Sequence, residues 1–319
     1  MTAITLADIE AAAERIGHRV RRTPCLMTRF VREPLRAGPT MVKLECLQVT
    51  GAFKVRGANN AILGLDGDAL ARGVVTASGG NHGIAVAYAA HASGCPAVVY
   101  LPAAAPADKA ERIRAWGADA VIEGAVWDDA EKVALERAER DGLTYIHPFA
   151  DPAVIAGQGT IAREMLKQSP DIDVIVAGIG GGGLIAGIAI AAKAIKPEIK
   201  VIGVEPVGAP TLRRSVAAGE LVTLDQIDTA ANTLAPRRSA ELNLEIIRHH
   251  VDDIVLVEDD EMSRAAGWLW FEMGQAVELA GAAAVAAIQT GKVAAPDDQT
   301  VAAVVCGNGT AALGGVSAA

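Results

Sequence analysis

The chain has 319 residues, 51% of them hydrophobic but only 3% aromatic, and a formal net charge of −9. That length suffices for one large core or two domains, with an interior built on Ala, Val, Ile and Leu. The acidic balance argues against nucleic acid or an anionic membrane as partner, and no apolar stretch is long enough to span a bilayer.

Thr5-x-x-Asp8 has the form of a capping box, and Ile9, Ala13, Ile16 and Val20 then recur at helical spacing. Thr23-Pro24 stops that amphipathic helix. The stretch before it, Met1 to Thr5, lacks the basic flank and apolar core of a signal peptide. Cys25, Cys46, Cys95 and Cys306 are scattered without CxxC pairs or ligand spacing, which suits a reducing cytoplasm. Thr40 to Glu45 predicts a short strand, and Lys54 opens a helix running to about Leu63.

From 73 to 150 the alternation is regular. Strands are expected at Val74 to Ala77, Pro96 to Leu101, Ala118 to Ile122 and Tyr145 to His147. Helices are expected at Asn81 to Ala92, Ala107 to Trp116 and Asp128 to Arg140, closed by Gly94, Gly117 and Gly142. Apolar strands between glycine-ended helices predict a parallel sheet covered on both faces. The second half continues with a helix at Ala153 to Gln168, whose Gly157 and Gly159 suggest close packing or a nearby site. Strands follow at Asp173 to Ala177 and Lys200 to Glu205. Residues 206–250 read only as mixed helix and loop. A long helix at Asp260 to Leu279, a small-residue helix at Ala280 to Thr290 and a strand at Thr300 to Val305 complete the pattern. Nothing after that strand is expected to form an appended regulatory domain.

Three stretches carry chemistry. Lys54 lies in Thr50-Gly51-Ala52-Phe53-Lys54-Val55-Arg56-Gly57, apolar and small company in which a lysine is kept when its uncharged amine is wanted. Ser78-Gly79-Gly80-Asn81-His82-Gly83 and Gly180-Gly181-Gly182-Gly183 each follow an apolar strand and open a helix, aiming backbone N–H groups at an anion. An amine plus a phosphate cradle suggests a phosphorylated aldehyde held as a Schiff base, which points to pyridoxal phosphate.

In order and spacing these stretches resemble the fold-type II pyridoxal-phosphate enzymes, and within them the serine/threonine dehydratase and serine racemase branch. His147-Pro148-Phe149, Pro152-Ala153-Val154-Ile155-Ala156-Gly157-Gln158-Gly159-Thr160 and Gly203-Val204-Glu205-Pro206 extend the likeness over nearly the whole chain. The resemblance implies an α/β fold like the tryptophan synthase β subunit, with two doubly wound three-layer domains. Residues 1–65 plus 151–319 would form the large domain and 66–150 a small inserted one. It implies Lys54 as the cofactor lysine and the base at Cα, with Phe53 packed on the ring. Asn81 would face the ring hydroxyl, and Gly180, Gly181, Gly182, Gly183 and Leu184 would hold the phosphate. Cys306 would stand beside the pyridine nitrogen; Ser78, Gly79, Asn81 and His82 would surround the substrate carboxylate. The expected partners are a small amino-acid substrate and a second copy of the chain, as a cytoplasmic homodimer.

The expected reaction is β-elimination from a β-hydroxy amino acid such as L-threonine or L-serine, giving a 2-oxo acid and ammonia. A thiol beside the ring nitrogen cannot hold it protonated as an aspartate would, and the weaker electron sink suits prompt elimination. Alternatives are a 3-hydroxyaspartate dehydratase, a serine racemase, a β-replacement synthase and a non-catalytic cofactor carrier. Serine racemases carry a second loop serine where this chain has Gly79, which favours a dehydratase. The family's cation site is matched by Glu205 and the Ala209 carbonyl, but Thr211 replaces its aspartate, so no metal is expected. Outside the motifs, His249-His250 reads as surface. Trp268 and Trp270 read as core or subunit interface, and Arg213-Arg214 and Arg237-Arg238 as solvated loops.

Overall fold

Apolar strands and glycine-stopped helices assemble into two sheets in the computed structural model, which describes residues 4–310 and 312. The chain opens with α1 (Leu6–Ile16), capped by Thr5 and Asp8 through the expected reciprocal bonds. The helix ends at Gly17 rather than near Val20. Next come β1 (Cys25–Met27), β2 (Thr40–Lys43), α2 (Lys54–Leu63) and α3 (Gly67–Arg72). Strands β3 (Val74–Ala77), β4 (Ala97–Leu101), β5 (Asp119–Ile122) and β6 (Thr144–Tyr145) alternate with α4 (Asn81–Ser93), α5 (Ala107–Ala115) and α6 (Trp127–Asp141). The remainder runs α7 (Pro152–Gln168), β7 (Ile172–Gly178), α8 (Gly183–Ile195), β8 (Lys200–Pro206), α9 (Thr211–Ala218), α10 (Glu241–His250), β9 (Asp253–Val257), α11 (Asp259–Met273), α12 (Leu279–Gln289) and β10 (Thr300–Val304).

The six-stranded sheet has the order β1-β2-β10-β7-β8-β9, parallel except for the antiparallel edge strand β1. The four-stranded sheet, β5-β4-β3-β6, is parallel throughout. Each is the middle of three layers. In β7, Ile175 and Ala177 point into a core with α1, α7, α8 and α10, whereas Val174 and Val176 point into a core with α11 and α12. In the smaller sheet Val74, Val99 and Leu101 meet α2 and α4, while Val75, Ala77 and Tyr100 meet α6. A strand buried on both faces needs no polar alternation, which is why these segments read as continuous apolar runs.

Helix α2 lies between α4 and α7 and so touches both units. Its crossing with α7 is set by glycine: a Cβ on Gly157 would lie 2.7 Å from the Gly57 Cα. The α7–α8 crossing is equally close, with a Cβ on Gly187 only 2.3 Å from the Ile155 carbonyl and 2.6 Å from the Gly159 nitrogen. Gly157 and Gly159 are therefore packing residues.

One boundary differs with consequence. The segment expected as a single helix from Asp260 to Leu279 stops at Met273, because Gly274 takes a left-handed conformation (φ 63°) and closes the helix. The chain then crosses to pair Val277 with Asn308, and α12 begins anew at Leu279.

Candidate active site

Lys54 is the first residue of α2, and three features fix it there. Ala52 pairs with Gly307. The Phe53 N–H donates to the Cys306 carbonyl at 3.1 Å. Two residues on, the fully buried Arg56 grips Glu45 through Nε and Nη2, both at 2.8 Å, and Glu164 at 2.8 and 2.9 Å. Lys43 adds a 2.8 Å bond to Glu164, so charges from β2, α2 and α7 close on one another in the interior. Lys54 itself lines the cleft. Its Nζ donates to the Pro148 carbonyl at 2.7 Å and lies 5.2 Å from the centre of the Phe53 ring. Desolvation of the ammonium dominates the nearby Cys306 and Glu278 and pushes the Lys54 pKa down to about 8.

The loop after β3 faces this amine. Ser78 N–H is held by the Tyr100 carbonyl at 2.8 Å, and Ser78 Oγ accepts the Gly80 N–H at 3.2 Å. Among the described residues the N–H groups of Asn81 and His82, at the start of α4, have no acceptor. The His82 ring is buried, its Nε2 3.2 Å from the Ile146 carbonyl and its Nδ1 without a partner. Burial first, then the Lys54 charge, pushes its pKa down to about 3, so the ring is neutral. His82 thus brings its backbone to the loop's open end while its side chain turns inward. A Cβ on Gly79 would lie 2.9 Å from the Ala105 Cβ and 3.2 Å from Pro102 Cδ.

The glycine loop is built so that its N–H groups stay free. The Gly181 carbonyl is taken by Asn243 Nδ2 at 2.6 Å and Ser239 Oγ at 2.9 Å, which turns that peptide away. Among the described residues no N–H from Gly180 to Leu184 finds an acceptor, although these groups open the apolar helix α8. Gly182 needs its positive φ of 94°, and side chains on the neighbours have no room. A Cβ on Gly181 would lie 2.2 Å from the Phe149 ring, and one on Gly183 2.5 Å from the Phe149 carbonyl. Orphan N–H groups at a helix N-terminus form an anion site.

Three residues at the site were not singled out from the sequence. Glu278 Oε1 accepts from Asn81 Nδ2 at 2.8 Å and from Thr233 Oγ1 at 3.3 Å. Lys109 Nζ donates to Asn81 Oδ1 at 3.2 Å. Thr233 stands between the two glycine loops: its carbonyl is 2.7 Å from where a Gly180 Cβ would be, and its Cγ2 is 3.6 Å from where a Gly80 Cβ would be. Cys306 closes the far end, buried, with Sγ 3.3 Å from the Ala280 carbonyl; burial raises its pKa well above the ordinary thiol value, so it keeps its proton.

The other sequence candidates lie elsewhere. Glu205 is buried and accepts from the Leu212 and Arg213 N–H groups at 2.8 Å each, capping α9, while Thr211 Oγ1 donates to the Pro236 carbonyl. Burial pushes the Glu205 carboxyl up to about 7. Among the described residues no group of three or more His, Cys, Asp or Glu is arranged to hold a metal. His249 bonds the carbonyl of Glu245 in its own helix. Trp268 is buried with its Nε1 on the Glu33 carbonyl, whereas Trp270 is exposed. Arg213, Arg237 and Arg238 hold backbone carbonyls of Ile254, Leu224 and Leu221.

The residues around the cleft suit a phosphorylated pyridine aldehyde. It requires an amine that is partly neutral, unpaired N–H groups for three phosphate oxygens, and polar partners for a ring oxygen and a ring nitrogen. The likeness to known proteins has the same sense. The family model described as "Pyridoxal-phosphate dependent enzyme" matches residues 16–307. An L-threonine ammonia-lyase of Thermotoga maritima is 39% identical over 285 residues, 89% of this chain and 71% of that protein. A serine racemase of Arabidopsis thaliana is 39% identical over 286 residues, 90% and 86% of the two chains. The solved structure of maize serine racemase superposes with a TM-score of 0.92 at 36% identity, covering 96% of this chain and 94% of that one. Its fold is therefore that of the fold-type II enzymes, and the chain belongs to the pyridoxal-phosphate dependent enzymes.

Proposed function

We propose that this chain is a pyridoxal-phosphate-dependent lyase that removes the β-hydroxyl of L-threonine or L-serine, releasing a 2-oxo acid and ammonia. The observation that carries the reading is the disposition of proton-handling groups: Lys54 supplies an amine of lowered pKa, and the loop facing it offers Gly79, which has no hydroxyl. Bound at Lys54, the cofactor supplies an electron sink for the pair left when the Cα–H bond breaks. The free N–H groups from Gly180 to Leu184, with the positive end of α8, would hold its phosphate. Asn81 would donate to the ring oxygen, Phe53 would pack on the ring, and Cys306, whose thiol keeps its proton, would stand beside the ring nitrogen. Ser78 Oγ and the free N–H groups of Asn81 and His82 receive the substrate carboxylate, with the Gly79 backbone forming the loop between them. The Lys54 amine would be the base that takes the Cα proton.

The four-stranded sheet and its helices, with limits near 66 and 150, form a small domain, and the rest a large domain carrying the phosphate loop. The names of the relatives, ammonia-lyase and racemase alike, support a β-hydroxy amino acid as substrate. We also propose a cytoplasmic homodimer. All four cysteines are free, and the exposed Phe30, Trp270 and Phe271, the last under the Arg32 guanidinium at 4.7 Å, offer an apolar contact face. No helix among the described residues is long and apolar enough to cross a membrane.

The test is a screen of 2-oxo acid release from serine, threonine and 3-hydroxyaspartate in each configuration, beside Lys54→Ala. Release from L-threonine and L-serine, lost with the visible cofactor band in Lys54→Ala, is the expected result. A wild type that binds the cofactor but leaves every one of these amino acids intact overturns the lyase reading.

A further inference from the structure

Asn81 sits between two charges from different parts of the chain. Lys109 reaches it from α5, and Glu278 from the turn created where α11 breaks off at Gly274. An ammonium has hydrogens to give and no lone pair to offer, so Lys109 accepts only the oxygen end of the amide as its neighbour. The nitrogen end is thereby turned to Glu278. Nδ2 carries two hydrogens; one goes to Glu278 Oε1, and the other has no acceptor among the described residues.

The carboxylate is itself held in place. Thr233 donates to the same oxygen, and Glu278 fills the space beside Gly307, where a Cβ would come within 2.6 Å of Oε1 and 3.2 Å of Asn81 Nδ2. Helix α5 is also tethered close to Lys109. One helical turn further along α5, Arg112 Nη2 donates to the Thr50 carbonyl at 2.8 Å, in the loop that leads to Lys54. Asn81 has only 8% of its surface exposed, so these contacts are largely shielded from solvent.

We propose that Lys109 and Glu278 are positioning residues that fix which end of the Asn81 amide faces the cofactor, making Asn81 a hydrogen-bond donor to the ring oxygen. The proposal rests on the reading that Asn81 borders the cofactor ring. An amide turned the other way would place its oxygen against the ring oxygen, one acceptor against another. With the amide locked, the ring oxygen meets an N–H, and its anionic form is favoured.

The experiment reconstitutes wild type, Lys109→Met, Glu278→Leu, Glu278→Gln, Asn81→Ala and the Asn81→Ala/Lys109→Met double variant with pyridoxal phosphate. Cofactor dissociation constants come from equilibrium dialysis, and the absorption maximum of the bound cofactor is recorded for each. Lys109→Met and Glu278→Leu should loosen the cofactor by about tenfold and move the band toward that of Asn81→Ala. Glu278→Gln, whose side-chain oxygen still accepts from Nδ2, should keep the wild-type band. The double variant should bind within about twofold of Asn81→Ala alone, because the lysine acts only through the amide. Unchanged affinity and band in Lys109→Met, or a loss that adds in full to that of Asn81→Ala, overturns the proposal. If Glu278→Leu does not fold, Lys109→Met decides alone, since its side chain is only half-buried. A wild type that shows no band removable by Lys54→Ala would instead defeat the site reading beneath it.

Discussion

The lowered pKa of Lys54 makes a quantitative prediction for the protein stripped of cofactor. With a pKa of about 8 in place of 10.5, roughly one amine in ten is neutral at pH 7, against roughly one in three thousand without the shift. The nucleophilic population is therefore larger by about 300-fold. The cause is the enclosure of Nζ, which among the described residues has the Pro148 carbonyl as its one hydrogen-bond partner and no ion pair to support the charge. Trace acetylation of the apoprotein, read by mass spectrometry peptide by peptide from pH 6 to 11, measures this directly. Labelling of Lys54 should rise with a midpoint near 8, with exposed lysines such as Lys132 as the reference in the same sample. The sign for stability follows from linkage. Folding lowers this pKa, so between about pH 8 and 10.5 the unfolded chain binds the extra proton; the group opposes folding below pH 8, and that penalty fades as the pH rises through the window. The shift corresponds to about 3 kcal/mol at most, so apo Lys54→Met should be more stable than wild type at pH 7 and lose that advantage by pH 10.5. A labelling midpoint at or above 10 would refute the idea that burial activates this amine.

Gly181→Val should force the Phe149 ring from its place, at about 1–3 kcal/mol, and weaken cofactor binding by about one to two orders of magnitude; dialysed protein that keeps its cofactor would show that the loop serves another purpose. Arg56→Met leaves the buried Glu45 without its partner and should cost about 3–5 kcal/mol in denaturant unfolding; a loss below about 1 kcal/mol would mean that the network is not cooperative. Gly79→Ser should raise racemisation relative to elimination, since a general acid is worth about 10²–10⁴-fold. It must also displace the Pro102–Ala105 turn that now occupies the place of its Cβ. A chiral assay with L-serine in deuterated water checks this, and D-serine formed by wild type as fast as pyruvate would remove the basis of the lyase reading.

Much of the site was legible because its chemistry is local. The stretch leading to Lys54, the two glycine loops and the strand before each are contiguous stretches whose residue types allow few conformations. Glu278 escaped because the segment around it was read as the end of one continuous helix. Only the stop at Gly274, a residue that also occurs inside helices, swings the acid into the cleft. Lys109 looks like any exposed lysine on an amphipathic helix, and its role exists only through a partner 28 residues earlier. Thr233 lies in the stretch from 206 to 250, where a one-turn helix at Asn232–Leu234 leaves no periodicity to detect. Strand β1 was missed for a related reason: three residues of an edge strand carry no pattern of their own. The two-fold role of α7, in contrast, was foreshadowed by Gly157 and Gly159, though as packing and not as part of the site.

The contacts among Gly57, Gly157, Gly159 and Gly187 have a metrical consequence. Lys54 begins α2 and the glycine loop leads into α8, and α7 packs against both helices with main-chain contact. The separation of the two helix starts is therefore constrained by main-chain contact at these crossings, with less of the slack that rotating side chains lend to an ordinary helix interface. A single methyl group at one of these glycines cannot be absorbed, and it would appear at the cofactor as a displacement of the amine relative to the phosphate. The three helices act as a gauge block between the amine and the glycine loop.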